Sequence, residues 1–315
     1  MMTATTLKPA DADGIPAHSW YALGVLTIVY VLNFLDRVLV YILFPPIKAE
    51  MKFTDLQLAL LGTTSFVIFY TLLGIPFGRM ADRVKRKWLI AAGLAAWSLF
   101  SGLTGFAGGF WTLFLCRVMG GVGEATLGPA ALSLLSDYFP PRVRATVQSV
   151  YSAGISIGGG LAFFLGGQIG ASQDWGWRWA FYMLGFPGLV MCLFVLSLRE
   201  TERGQTEGHA AAKYGADDWK VLFRSKALRY HYAGYALFGL ASNQLSIWGP
   251  TFFNRVHGFG LQLIGNWAGV LSVAAGACSL ARRARSLRYL CGSRCSLAET
   301  CGCFSPRTSF CSASL

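Results

Sequence analysis

Gly78-Arg79-Met80-Ala81-Asp82-Arg83-Val84-Lys85-Arg86-Lys87 is the stretch on which the reading of this chain turns. It sets five basic residues and one acid into ten positions, between an apolar block that begins near Leu58 and another that begins near Trp88. Such blocks recur, starting near Trp20, Leu58, Trp88, Trp111, Thr146, Trp177, Tyr230 and Leu261. Each runs for about 20 residues, the length a helix needs to cross a hydrocarbon core of roughly 30 Å. Eight candidate spans follow, and an all-α integral membrane protein is expected. Barrel strands would alternate apolar and polar residues over about 10 positions, which these blocks do not do. With 54% hydrophobic and 13% charged residues, the chain also lacks the polar coat that a soluble domain of its length requires.

The formal net charge of +12 raises the question of a nucleic-acid partner. Its distribution argues against one. Basic residues gather in the loop just quoted, at Arg142 and Arg144, and at Arg199, Arg203, Lys213, Lys220, Arg224, Lys226 and Arg229. These clusters follow the second, fourth and sixth spans, whereas the loops near Gly108–Trp111 and Asp174 carry almost no net positive charge. Lys/Arg excess on alternate loops is the positive-inside pattern, which predicts a cytoplasmic N-terminus and basic loops against the anionic leaflet. Residues 1 to 18 lack the basic stretch, short apolar run and small-residue site of a cleavable signal. They are read as a cytoplasmic tail.

Six spans form an expected N-terminal bundle over residues 19–198. A polar linker over 199–228 follows, with a short amphipathic helix predicted near Asp218–Arg224. Residues 229–278 are read as two more spans. After Gly276 the sequence changes character, and no apolar period survives. Cys278, Cys291, Cys295, Cys301, Cys303 and Cys311 stand among arginines and serines. A metal site is the sharp reading, but the spacing fits no CxxC pair and no His accompanies it. The bland reading is a GC-rich gene translated out of frame, so 279–315 is expected to be a non-native tail. Cys116 and Cys192 read as small core residues.

Charge within the spans carries the chemistry. Asn33, Asp36 and Arg37 lie in the first apolar block, Arg117 and Glu124 in the fourth. An ionised group at membrane depth costs roughly 3 kcal/mol on insertion scales. The four charges should therefore face protein or water and meet as opposites. Arg117 and Glu124 are two helical turns apart and share a face. Asp36 and Arg117 lie at matched depths, so an Asp36–Arg117 and an Arg37–Glu124 pair, or the crossed version, can form. A carboxylate whose desolvation opposes a neighbouring guanidinium can link protonation to helix arrangement. The alternative is a static ion pair that fixes register.

In the opening loop, Gly78 is expected to allow close helix approach and Asp82 to accept backbone N–H bonds at a helix start, while Arg83, Arg86 and Lys87 anchor the loop in the cytoplasm. The spacing G-x-x-x-D-R-x-x-R-K resembles the signature loop of the major facilitator superfamily. Asn33-Phe34-Leu35-Asp36-Arg37, Arg117-Val118-Met119-Gly120-Gly121-Val122-Gly123-Glu124-Ala125, Ser136-Asp137-Tyr138-Phe139-Pro140-Pro141 and Gly176-Trp177-Arg178-Trp179-Ala180-Phe181 resemble its Spinster-like branch. The resemblance covers residues 20 to about 276. It implies two six-helix halves rocking around a midplane cavity, with proton coupling and cavity chemistry at Asp36, Arg37, Arg117 and Glu124. In animals the branch moves lysolipids and sphingosine phosphates. Thr126-Leu127-Gly128-Pro129 departs from the small-polar run of that branch.

Gly154, Gly158, Ala162, Gly166 and Gly170 recur every four residues, a stripe suited to tight packing or a sliding contact. Trp111, Trp175, Trp177 and Trp179 read as an interfacial belt, and Trp248, Asn243 and Gln244 as cavity or packing residues. A phosphate-cradling GxxxxGK[ST] loop is absent, no catalytic constellation emerges, and no cofactor or metal is expected. Together these features predict a monomeric secondary transporter with a small-molecule or lipid substrate and protons as partners. The major facilitator fold is expected as a complete first half plus two helices of the second, which in this form should not transport. An organic anion–cation symporter, a drug-efflux carrier and a non-transporting membrane receptor are the other readings.

Overall fold

A computed structural model describes residues 15–172, 176–201 and 224–278. Among them there is no strand. The tail at 279–315, the amphipathic helix expected near Asp218–Arg224, and Trp175 lie outside or largely outside the described residues. Helix α1 (Ala17–Ile42) follows Pro16 and leads into α2 (Phe44–Met51), which ends at Lys52 in a left-handed conformation. Next, α3 (Asp55–Ala59) opens with a capping box in which Thr54 and Gln57 satisfy each other's backbone groups. A π-helical turn over Leu60–Thr64 joins α3 to α4 (Ser65–Ala81), and the Tyr41 hydroxyl donates to the Gly62 carbonyl inside that turn, at 3.4 Å.

The bundle continues with α5 (Arg86–Thr104), α6 (Phe110–Glu124), α7 (Leu127–Tyr138), α8 (Pro141–Ala171) and α9 (Gly176–Leu196). Beyond the linker come α10 (Lys226–His257) and α11 (Leu261–Cys278). Among the described residues six stretches are long and apolar enough to cross a membrane: Ala17–Ile42, Asp55–Ala81, Phe110–Tyr138, Pro141–Ala171, Gly176–Leu196 and Leu261–Cys278. The other two expected spans, α5 and α10, are helical but more polar. Helix α5 opens on Arg86-Lys87 and is rich in Ala, Gly and Ser, and α9 and α6 cover much of it. Helix α10 carries Ser242, Asn243 and Gln244, all exposed.

Two apolar clusters fill the bundle. One, at the end bearing the basic loops, gathers Leu26, Val29, Leu94, Trp97, Leu134 and Tyr151. The other, at the opposite end, gathers Leu35, Leu39, Phe44, Leu113, Phe163 and Phe181. Along α1 the first cluster ends at Val29 and the second begins at Leu35, so Asn33–Arg37 falls at their seam.

Small residues set the helix spacing. A methyl at Gly158 would run into the Val31 carbonyl and the Phe34 Cβ on α1, and Gly154 and Gly166 face Tyr30 and Ile42 of the same helix. Gly160 and Gly167 point elsewhere, onto Gly269 and Gly265 of α11. The larger α8 side chains Ile155, Ile157, Leu161 and Phe164 are exposed.

Candidate functional site

The fourth span is two helices, not one. Pro129 sits in the first turn of α7, where its ring excludes the carbonyl of Ala125 and it can offer no N–H. Continuous helix therefore stops at Glu124. That carboxylate lies at the negative end of α6, where a cation is stabilising. Gly121 and Gly123 bring the neighbours close: a Cβ at Gly121 would lie 3.0 Å from the Phe66 carbonyl, and one at Gly123 would lie 2.6 Å from the Gly93 carbonyl. The Gly-Gly-Val-Gly-Glu sequence thus draws α4 and α5 against the charged part of α6.

The structure forms the direct pairing of the four charges. Arg37 donates to Glu124 Oε2 from Nη2 at 2.7 Å and from Nε at 3.2 Å. Arg117 Nη1 reaches Asp36 Oδ2 at 3.4 Å, and the Ser101 hydroxyl donates to the other Asp36 oxygen. Asp36, Arg117, Glu124 and Asn33 are all buried, whereas the Arg37 side chain keeps 21% exposure. Three rings surround the Arg37 guanidinium: Phe66 at 4.5 Å, and Phe34 and Tyr70 at 4.8 Å each. Arg117 Nε and Nη2, Asn33 Nδ2 and Glu124 Oε1 find no partner among the described residues. Sequence reading misses Ser101, Phe66 and Tyr70, since no spacing rule links α4 or α5 to charges on other helices.

The signature loop departs from expectation at several residues. Around Gly78 no described atom lies within 4 Å of the place a Cβ would occupy, so no close approach occurs there. Asp82 ends α4 and is exposed, and it does not cap α5. Glu200 caps it instead, taking the N–H groups of Arg86 and Lys87 at 3.1 Å each. Arg86 is fully buried and does not act as an exposed anchor. Its Nε donates to Glu200 at 3.0 Å, Nη1 to Ser133 at 3.0 Å and to Asp137, and Nη2 to the Thr201 carbonyl at 2.7 Å. Lys87 Nζ reaches the Leu198 carbonyl at 3.2 Å, and Arg83 is exposed.

At the opposite end Trp177 is buried and is not a belt residue. Its indole N–H donates to Glu50 at 2.6 Å, and Arg178 pairs with the same carboxylate. Burial would raise the Glu50 pKa, but the hydrogen bonds from Arg178 and Trp177 outweigh it and hold the carboxyl below its usual range. Trp111 and Trp179 are exposed, and Trp248 packs on Phe44 with ring centroids 5.7 Å apart. Across the halves, Arg255 of α10 pairs with Asp55 at 2.7 Å.

Residues 26–304 match the family model of the Major Facilitator Superfamily, a match that runs into the Arg- and Cys-rich stretch after Cys278. An MFS-type efflux pump of Mycolicibacterium smegmatis is 30% identical over 271 residues, covering 86% of this chain and 62% of the pump. Protein spinster homolog 1 of Homo sapiens is 30% identical over 248 residues, covering 76% of this chain and 47% of that protein. The crystal structure of a bacterial homolog of the human lysosomal transporter Spinster, inward-facing and unoccupied, superposes with a TM-score of 0.74 at 28% identity, over 83% of this chain and 61% of that one. This chain therefore spans less than two thirds of each of these relatives. By the family match and by these relatives, the chain belongs to the Major Facilitator Superfamily as a Spinster-like member.

Proposed function

We propose that the chain supplies the first half, and the first two helices of the second half, of a proton-coupled transporter that moves lipophilic or amphipathic organic solutes by alternating access. In this reading residues 19–198 form the N-terminal bundle, 199–228 the linker and 229–278 the start of the second half, with the N-terminus in the cytoplasm of a bacterial inner membrane. The observation that carries it is the pair of buried ion pairs joining α1 to α6, Asp36 with Arg117 and Arg37 with Glu124. Four charges on two helices are a costly way to fix register, and they lie where two apolar clusters meet. Unpartnered donors on Arg117 and Asn33 leave room for a polar or anionic group of a solute. Glu124 is the proton-carrying group, Arg37 its counter-ion, and Asp36 with Arg117 the second pair that the rearranging helices exchange.

The test uses the protein completed to two six-helix halves and reconstituted in lipid vesicles. A proton gradient should drive uptake of a lysophospholipid, and Glu124→Gln or Asp36→Asn should abolish the dependence on the gradient. Undiminished gradient-driven uptake by both variants would refute the reading. The efflux-pump relative favours a second reading, an efflux carrier of the same superfamily. A panel of cationic drugs and small carboxylates beside the lysophospholipid separates these substrates.

A further inference from the structure

Three rings around one guanidinium are more than Arg37 needs while it is paired with Glu124. Phe66 and Tyr70 stand one turn apart on α4 and stack with centroids 5.5 Å apart, and Phe34 closes the box from α1. The box is fixed in place. Phe66 is buried, and its backbone rests against Gly121 three residues before Glu124.

The rings respond differently to the two forms of the pair. With Glu124 ionised, their negative faces see a cation and an anion that largely cancel. With Glu124 protonated, they see a bare guanidinium, which a ring face attracts. Neutralising one member of a buried pair ordinarily strands the other charge in a poor solvent. Here the rings receive it. We infer that Phe34, Phe66 and Tyr70 are positioning residues for proton coupling: they hold the Arg37 charge while Glu124 is protonated, so that Glu124 can take and release a proton without expelling Arg37. The inference rests on the reading of Glu124 as the proton-carrying group.

The other charged and titratable groups around the pair are Asp36, Tyr30 and Tyr41 on α1 and Arg117 on α6, which faces the Phe66 ring from farther off, at 5.6 Å. Helix α5 adds the Ser101 hydroxyl on Asp36, and Tyr151 of α8 stacks on Tyr30 at 4.2 Å. None of these lies within cation–π reach of Arg37 in place of the three rings. Leucine at position 66 keeps an apolar side chain there while removing the ring face, so the protonated form of Glu124 loses more than the ionised form does. Protonation should then require more acid.

The experiment needs no transport. A pH titration of the purified chain in lipid nanodiscs is followed by the infrared C=O stretch of protonated carboxyls. The Glu124→Gln variant identifies the Glu124 band, and Asp36→Asn retains it. Phe66→Leu should move the midpoint of that band to lower pH by about one unit, about tenfold in proton concentration, the order of a single desolvated cation–π contact. Phe66→Tyr, which keeps the ring, should hold the original midpoint. Phe34→Leu carries the same test should Phe66→Leu fail to fold, whereas Tyr70 also meets Arg37 through its hydroxyl. Unchanged midpoints in the leucine variants would overturn the inference, as would a Phe66→Tyr shift as large as that of leucine. A chain whose Glu124 band does not titrate at all would overturn the proton-carrier reading itself, a failure distinguishable from the first two.

Discussion

Two buried arginines, Arg86 and Arg117, are handled in opposite ways. Arg86 has partners at each of its side-chain nitrogens, drawn from the last turns of α7 and from Glu200 and Thr201 just after α9. Arg117 has one long contact to Asp36, and its Nε and Nη2 find no partner among the described residues. Burying a charge is tolerable when every donor is bonded, and a network of that kind specifies one geometry. A buried guanidinium with spare donors specifies less. The first arrangement fastens the basic end of the bundle; the second leaves the centre able to change partners.

The sharpest way to break this contrast is Arg86→Met. It should cost about 3–5 kcal/mol, because Asp137 and Glu200 lose their shared cation, and thermal unfolding in detergent reads it. Arg86→Lys should recover only part, since an ammonium cannot reproduce the fork. Gly158→Leu, which forces α8 off α1, should cost about 1–3 kcal/mol in the same assay, while Gly78→Ala, with open space around it, should stay within about 0.5 kcal/mol. Glu124→Gln should cost less than about 2 kcal/mol despite complete burial, because one oxygen is already unbonded and Arg37 keeps its rings. A loss as large as that of Arg86→Met would erase the distinction between the two sites.

A small, pH-dependent effect belongs to Glu50. Its folded pKa is depressed, so its contribution is present above the unfolded value and lost as pH falls through the folded one. Wild type should therefore melt above Glu50→Gln at neutral pH, by under about 1 kcal/mol since both partners are partly in water, and the two should converge only as pH falls through the depressed folded value.

The spans and the four intramembrane charges are legible in the sequence because each is a local property: run length, and the cost of a charge inside an apolar run. Matched depth even narrows the pairing to two arrangements, of which the structure forms Asp36 with Arg117 and Arg37 with Glu124. Neighbour choice is not legible. Glu200 caps α5 from 114 residues away, and a periodicity that defines a helix face says nothing about which helix will meet it. Asp82 has the look of a helix start because it precedes α5, yet Lys85 in an extended conformation begins that helix and a distant carboxylate serves it. Trp177 shares its neighbours' pattern and still turns inward, drawn by an acceptor on α2 that only the fold supplies. Pro129 is visible as a departure from the expected run, but its effect, ending α6 at Glu124, depends on where that helix needs its last carbonyls.

Helix α8 is thin on two sides at once. Because glycines line both its α1 side and its α11 side, the helices it separates nearly touch across it: the Ile42 side chain of α1 comes within 3.3 Å of where a side chain would begin at Gly265 of α11. Ile42 stands fewer than two turns from Asp36. A nudge applied to the second half would reach the helix bearing Asp36 and Arg37 through that methyl group as well as through the Trp248–Phe44 contact, with no intervening layer of flexible side chains at Gly265 to absorb it.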